Sequence, residues 1–414
     1  MIKAPKHFVG GKAAYIRLSS HFPALHNKTF RLFWLSQAIS LLGTWIQTTA
    51  LSWLVYTLSG SAFLSGISVA VSAVPLLVLS PFSGIIIDRY SEKKALIITQ
   101  TSLSVISLTA AVLVFIGAID YWHILLFNFI SGAANAVINP ARQTLICHLV
   151  GKDDFMNGIA LNSAAFNASR MIGPAVAGIL MDTAGIHICF LINSLCFLPI
   201  IWFMLRLKLP FTKSDHSSVI NDMKEALQYS GQNLLLKKTL MISTVVGMLA
   251  MNYSVLTPVL VSDVLQSSGT GYGILLSFMG VGSLLAAIIL AAHNKISHGL
   301  KALKAFPACL SILFFLLGIC GHAGFIQFLY VLYGFCVTSF ATLSNSTVMI
   351  YSDTAMRGRI LGIYTLLFTG MNPIGGILAG FLAEQYGISA AHWILGTIII
   401  FFTVLIFKEW RKQR

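Results

Sequence analysis

Twenty-six of the 27 lysines and arginines in this 414-residue chain fall on one side of an alternating series of apolar stretches, and the remaining one, Arg170, falls in the middle of a stretch. Only 10% of residues are charged and 57% are hydrophobic, against roughly 25% charged residues in a soluble domain. A water-soluble globular fold is excluded. Stretches near 20 residues match the bilayer core, where backbone polar groups must be satisfied internally. The expected fold is therefore an all-α membrane protein, with twelve spans at about 33–57, 63–87, 95–117, 121–146, 158–182, 185–205, 239–262, 270–292, 302–320, 324–350, 360–385 and 389–408.

Because lysine and arginine in short loops stay cytoplasmic, their positions set the orientation. They gather before span 1, after spans 2, 4, 6, 8 and 10, and in the tail, whereas the opposite side carries Asp120, Asp182, Asp263 and Glu384 with no lysine or arginine. Both termini are expected in the cytoplasm. The net charge of +14 follows from this bias and from attraction to anionic lipid headgroups, so nucleic acid is not an expected partner. The basic N-terminus runs into span 1 without a small-residue cleavage site and reads as an uncleaved start rather than a signal peptide. The six cysteines lack metal-ligand spacing and read as small apolar packers; no cofactor or metal is expected.

The longest polar interval divides the spans six and six: residues 1–205 form one half, 206–238 a linker, and 239–414 the other half. In the linker Val219, Ile220, Met223, Ala226 and Leu227 recur at helical spacing against Asp222, Lys224, Glu225 and Gln228, which suits a helix on the cytoplasmic membrane surface or, alternatively, a partner-binding helix. The halves also repeat. Gly173, Ala177, Gly178, Asp182 and Gly185 in span 5 match Gly375, Ala379, Gly380, Glu384 and Gly387 in span 11. Duplicated halves place a substrate site between them near the midplane.

Polar residues at helical spacing in apolar spans mark the faces turned from lipid. Span 1 gives Gln37, Ser40, Thr44, Gln47 or Thr48, and Ser52; span 4 gives Asn128, Ser131, Asn135, Asn139 and Arg142; spans 5, 10 and 11 give Asn167 with Ser163 and Arg170, Asn345 with Thr338 and Thr342, and Asn372 with Thr365 and Thr369. Gln37, Thr44, Gln47, Asn128, Asn135, Asn139, Asn167, Arg170, Asn345 and Asn372 are the candidate substrate-binding set. The span 4 face reads as a water-accessible cavity. At the midplane Arg170 costs about 2.5–3.5 kcal/mol unless partnered; it is either a structural arginine or a clamp for an anionic group. Arg142, near the end of span 4, reads as an interface anchor.

The motifs resemble those of the major facilitator superfamily from about residue 25 to 408. Gly84-Ile-Ile-Ile-Asp88-Arg89-Tyr90-Ser91-Glu92-Lys93-Lys94 is similar to that family's G-x3-D-R-x-G-R-K-K loop, with Ser91 and Glu92 in place of Gly and Arg. Ser169-Arg170-Met171-Ile172-Gly173-Pro174-Ala175-Val176-Ala177-Gly178 resembles its exporter motif. Asn139-Pro140-Ala141-Arg142-Gln143 and Arg357-Gly358-Arg359-Ile360-Leu361-Gly362 are similar to the subgroup of the enterobactin exporter and the macrolide efflux pumps. The resemblance implies a monomeric twelve-helix exporter of small organic molecules in a bacterial cytoplasmic membrane. It also implies rocking halves, protons as the driving partner, and gating by Gly84, Asp88, Arg89, Arg142, Gly173, Pro174 and Gly178. The family's span 4 arginine motif stands here as Asn128-Phe129-Ile130-Ser131-Gly132, without the arginine. No carboxylate lies mid-span, which leaves Asp182, Asp263 and Glu384 as coupling candidates, and a cavity with Arg170 and no acid favours anions such as siderophores. Drug efflux and lysophospholipid movement are the alternatives. No HExxH, GxSxG, paired midplane carboxylates or P-loop occurs, so neither an enzyme nor an ATP-driven pump is expected.

Overall fold

A computed structural model describes residues 23–80, 91–207, 228–292, 299–353 and 356–408, and all regular structure among them is helical. The helices are α1 Lys28–Ser59, α2 Ala62–Leu79, α3 Glu92–Phe115, α4 Tyr121–Thr183, α5 Ile186–Cys196, α6 Leu198–Arg206, α7 Leu234–Leu249, α8 Tyr253–Val259, α9 Gly269–Ala292, α10 Gly299–Ile319, α11 Ala323–Tyr351, α12 Arg357–Thr369 and α13 Asn372–Lys408. Nine stretches among the described residues are long and apolar enough to cross a bilayer, with a shorter apolar helix at Leu303–Ile319. Gly84, Asp88, Arg89 and nearly all of the 219–228 segment lie outside the described residues.

Capping chemistry sets several starts. The Asn27 side chain accepts from the Thr29 and Phe30 amides at 2.9 and 3.2 Å, and Asn233 does the same for Leu235 and Leu236, satisfying donors that a helix start leaves open. The chain turns at three glycines with positive φ among the described residues. Gly151 (φ 76°) divides α4 into arms before and after it; Gly185 (φ 91°) and Gly387 (φ 82°) occupy the matched repeat positions, where a Cβ would be strained.

Side-chain bridges gather alternate helix ends at one face. Asn27 Nδ2 donates to the Leu149 carbonyl at 2.7 Å, Glu92 pairs with His148 at 2.7 Å, and Lys93 Nζ donates to the Leu207 carbonyl at 2.6 Å. Asp182, Asp263 and Glu384 lie at the opposite, acidic end. Helices of the first part of the chain (23–207) also pack on those of the second (228–408): α4 against α9, and α2 against α13.

Several helix limits differ from the sequence reading. The first arm of α4 continues to Gly151 rather than stopping near 146, which leaves Arg142 well inside it. Lys238, read as linker, is buried in α7. The span read as 239–262 is broken after Leu249, resumes as α8 and ends in a π turn, Leu260–Val264, that carries Asp263. Side chains meet the carbonyls freed at this break: Asn252 Nδ2 donates to Met248 O at 2.7 Å, Asn372 Nδ2 to Met251 O at 3.0 Å, and the Tyr333 hydroxyl to Ala250 O. Such substitution permits irregular backbone at membrane depth.

Candidate functional site

A cavity of about 490 Å³ opens among α1, α2, α3, the first arm of α4 and the α7–α8 break, within the usual range for small-molecule sites. Six of the ten expected binding residues line it: Gln37, Thr44, Gln47, Asn128, Asn135 and Asn139. Helical periodicity explains the grouping, since residues three and four apart share a face. Two of their amides are held by other helices, with Asn128 Nδ2 donating to Ser68 Oγ at 2.7 Å and Asn193 Nδ2 donating to Gln47 Oε1 at 2.8 Å and Ser107 Oγ at 3.1 Å. Ser68, Gln100, Ser107, Asn193, Tyr253 and Tyr272 line it too and were not among the expected residues. A less polar wall carries Trp45, set edge-on to Phe166 at 5.5 Å. Toward the acidic end Tyr272 of α9 stacks on Trp53 of α1 at 5.6 Å. Among the described residues the lining includes no Asp, Glu, Lys or His, and its single formal charge is Arg142.

The other expected residues lie elsewhere. Arg170 is not in this lining: the next residue, Met171, abuts Gly280 of α9, and Arg170 Nη2 is buried without a hydrogen-bond partner among the described residues. Asn167 donates to Ser163 O in its own helix at 2.9 Å, and Asn345 is a partly buried residue of α11 outside the lining. Asn372 bridges Met251 O and, at 3.1 Å, Asn252 Oδ1, so it closes the helix break rather than facing the cavity. Asn372→Leu leaves the partly buried Met251 carbonyl without this donor and should cost about 1 kcal/mol of stability. The expected result is a lower melting temperature in detergent with export by the folded fraction retained, as measured by thermal unfolding and export rate.

The repeated glycines make equivalent contacts. Gly173 abuts Trp45 of α1 and Gly375 abuts Met248 of α7; Gly178 lies against Gly269 and Gly273 of α9, and Gly380 against Ala62 and Phe63 of α2. Pro174 sits between the first two sites in α4, where its carbonyl faces Gly273.

The repeated acids are also equivalent. Asp182 accepts from the Ser268 hydroxyl and, at 2.9 Å, from the Thr270 amide, so it caps α9. Glu384 accepts from the Ser61 hydroxyl and, at 2.9 Å, from the Phe63 amide, so it caps α2. Each acid takes the serine just before a helix and the amide two residues on, in the other part of the chain, where a carboxylate meets open N–H groups and the positive end of the helix dipole. A third bridge at this end joins the Tyr56 hydroxyl to Asp263 at 2.8 Å.

A multi-pass helical bundle with a polar cavity, a broken helix beside it and paired contacts across its two parts defines a membrane carrier of small molecules rather than an enzyme. Residues 19–413 match the model of the transmembrane secretion effector family, and the chain belongs to that family of major facilitator exporters. The staphyloferrin A transporter of Staphylococcus aureus (strain NCTC 8325 / PS 47) is 26% identical over 393 residues, 93% of this chain and 97% of the relative. Macrolide efflux protein A of Streptococcus pyogenes is 21% identical, covering 92% and 96%. Among solved structures the nucleoside transporter NupG superposes with a TM-score of 0.72 over 92% of this chain and 99% of that one at 16% identity, a likeness of fold alone.

Proposed function

We propose that the chain is a twelve-helix, monomeric exporter of a small anionic organic metabolite of the siderophore type. It works by alternating access of two six-helix halves across a bacterial cytoplasmic membrane, with both termini inside. The observation that carries the substrate reading is the cavity, whose lining among the described residues is rich in amides and hydroxyls, holds no carboxylate and carries one charge, Arg142. Such a lining repels no anion and offers donors to its oxygens. The likeness to the staphyloferrin A transporter over 93% of the chain supports the same reading.

The bridges at the acidic end, which the positive-inside rule assigns to the outer surface, support a state closed outside. Asp182 and Glu384 then act as gate contacts. Asp263 is the coupling carboxylate: it sits on the π turn of a broken helix with Tyr56 as its bridge, and π turns concentrate at functional sites. Asp263→Asn should lose uphill export driven by a proton gradient while keeping substrate exchange. Retained uphill export in proteoliposomes would remove Asp263 from this role.

A second reading, efflux of bulky apolar drugs, draws on the Trp45–Phe166 wall and on the likeness to macrolide efflux protein A. Culture medium and cell extracts of a deletion strain and its parent, compared under iron limitation by chelation assay and mass spectrometry, separate the two. A chelator lost outside and accumulated inside supports siderophore export. Normal release with raised macrolide sensitivity moves the assignment to drug efflux.

A further inference from the structure

Arg142 lies nine residues inside the end of its helix arm at Gly151, Gln37 nine residues from the α1 start at Lys28, and Gln100 eight residues from the α3 start at Glu92. At 1.5 Å per residue, each is about 12–14 Å from its helix end. Those ends are tied together by the Asn27–Leu149 and Glu92–His148 bridges, so the three residues form one layer across the cavity. From that depth Arg142 cannot bring its charge to the membrane surface in the way an arginine at a helix end does.

Two groups of the layer are unsatisfied among the described residues. Arg142 Nε is buried with no hydrogen-bond partner among the described residues, and Gln100, 2% exposed, leaves its Oε1 buried and unpartnered among them. Gln37 is likewise 2% exposed. A partly buried cation without a partner is costly, and no carboxylate among the described residues lines the cavity to supply one. Free donors on a planar guanidinium, with an amide acceptor at the same level, complement an oxyanion that carries a neighbouring hydroxyl or N–H donor.

We propose that Arg142, with Gln100 and Gln37, is the anion subsite of the cavity and selects substrates bearing a carboxylate or similar oxyanion beside a hydrogen-bond donor. This deepens the export reading above and rests on it. Arg142 is then a specificity-determining residue, and Arg170 is not the clamp.

The test compares untargeted mass spectrometry of medium and cytoplasm from a deletion strain complemented with the native chain, Arg142→Gln, Arg142→Lys or empty vector. Membrane level and gel-filtration profile in detergent serve as the folding control, and Arg142→Lys keeps the charge if Arg142→Gln fails to fold. The compounds restored to the medium by the native chain are expected to be anionic. Arg142→Gln should reduce their export about 10- to 100-fold, the size of one charge-assisted hydrogen bond, and Arg142→Lys should reduce it less, keeping the charge but not the fork. Anionic compounds exported equally by folded Arg142→Gln, or restored compounds that are all cationic or neutral, would overturn the subsite while leaving export intact. No difference between native chain and empty vector would overturn the export reading itself.

Discussion

Gly380→Ala should give a protein that inserts and folds but exports about tenfold or more slowly than the native chain. A methyl at Gly380 would run into the Ala62 carbonyl and the Phe63 backbone of α2. Neither can yield as a flexible side chain would, and overpacking of this kind costs about 1–3 kcal/mol. In an alternating carrier this contact joins α13 to a helix of the other part of the chain, so the penalty falls only on the state in which the acidic end is closed. An equilibrium shifted by that amount changes state populations by about 5- to 150-fold. Gly375→Ala is the matched control: its methyl would overlap Met248 O of α7, within the same part of the chain, where the contact persists in every state. Gly375→Ala should therefore reduce the yield of folded protein, whereas Gly380→Ala should spare it. Gel filtration of tagged protein and export rate separate the two, and equal loss of folding would tie Gly380 to fold stability alone.

Asp182→Ala combined with Glu384→Ala should open the acidic end. Each acid caps a helix of the other part, and removing a cap costs about 0.5–2 kcal/mol. The two sites share no partner, so the effects should add to about 1–4 kcal/mol, a shift of roughly 5- to 1,000-fold toward the open state. Spin labels at Ala118 and His322, exposed residues at the helix ends facing the acidic side in the first and second parts, report this directly. The long-distance population should grow in the double variant and change less in each single one. An unchanged distance distribution would show that the caps do not hold this end closed.

What the sequence made legible follows from where physics writes a repeating signal. The Asn128, Asn135 and Asn139 face was readable because an amphipathic period survives in an otherwise apolar helix, and those residues do converge on the cavity with Gln37, Thr44 and Gln47. Gln100, Asn193 and Tyr272 were not readable, since a lone polar group in an apolar helix looks the same whether it faces lipid, packing or a cavity. Asn372 carried the right spacing and a different job, because the break after Leu249 that it seals is not announced by any proline or glycine pair. Arg142 was misplaced by a few residues of helix length, enough to turn an apparent interface anchor into a charge inside the bundle. Asp182 and Glu384 stood out as a repeat, but their partners Ser268 and Ser61 are 86 and 323 residues away in the chain. Contacts of that range are set by how the helices assemble rather than by local pattern.

Direction and energy coupling are measured together in inside-out membrane vesicles from cells producing the native chain, incubated with the chelator recovered from the medium in the outer solution and given a proton gradient. Export by a carrier of the proposed kind predicts accumulation inside these vesicles above the outside concentration, collapse of that accumulation by an uncoupler, and its absence in vesicles with Asp263→Asn. Passive equilibration without accumulation, or accumulation only in right-side-out vesicles, would contradict it.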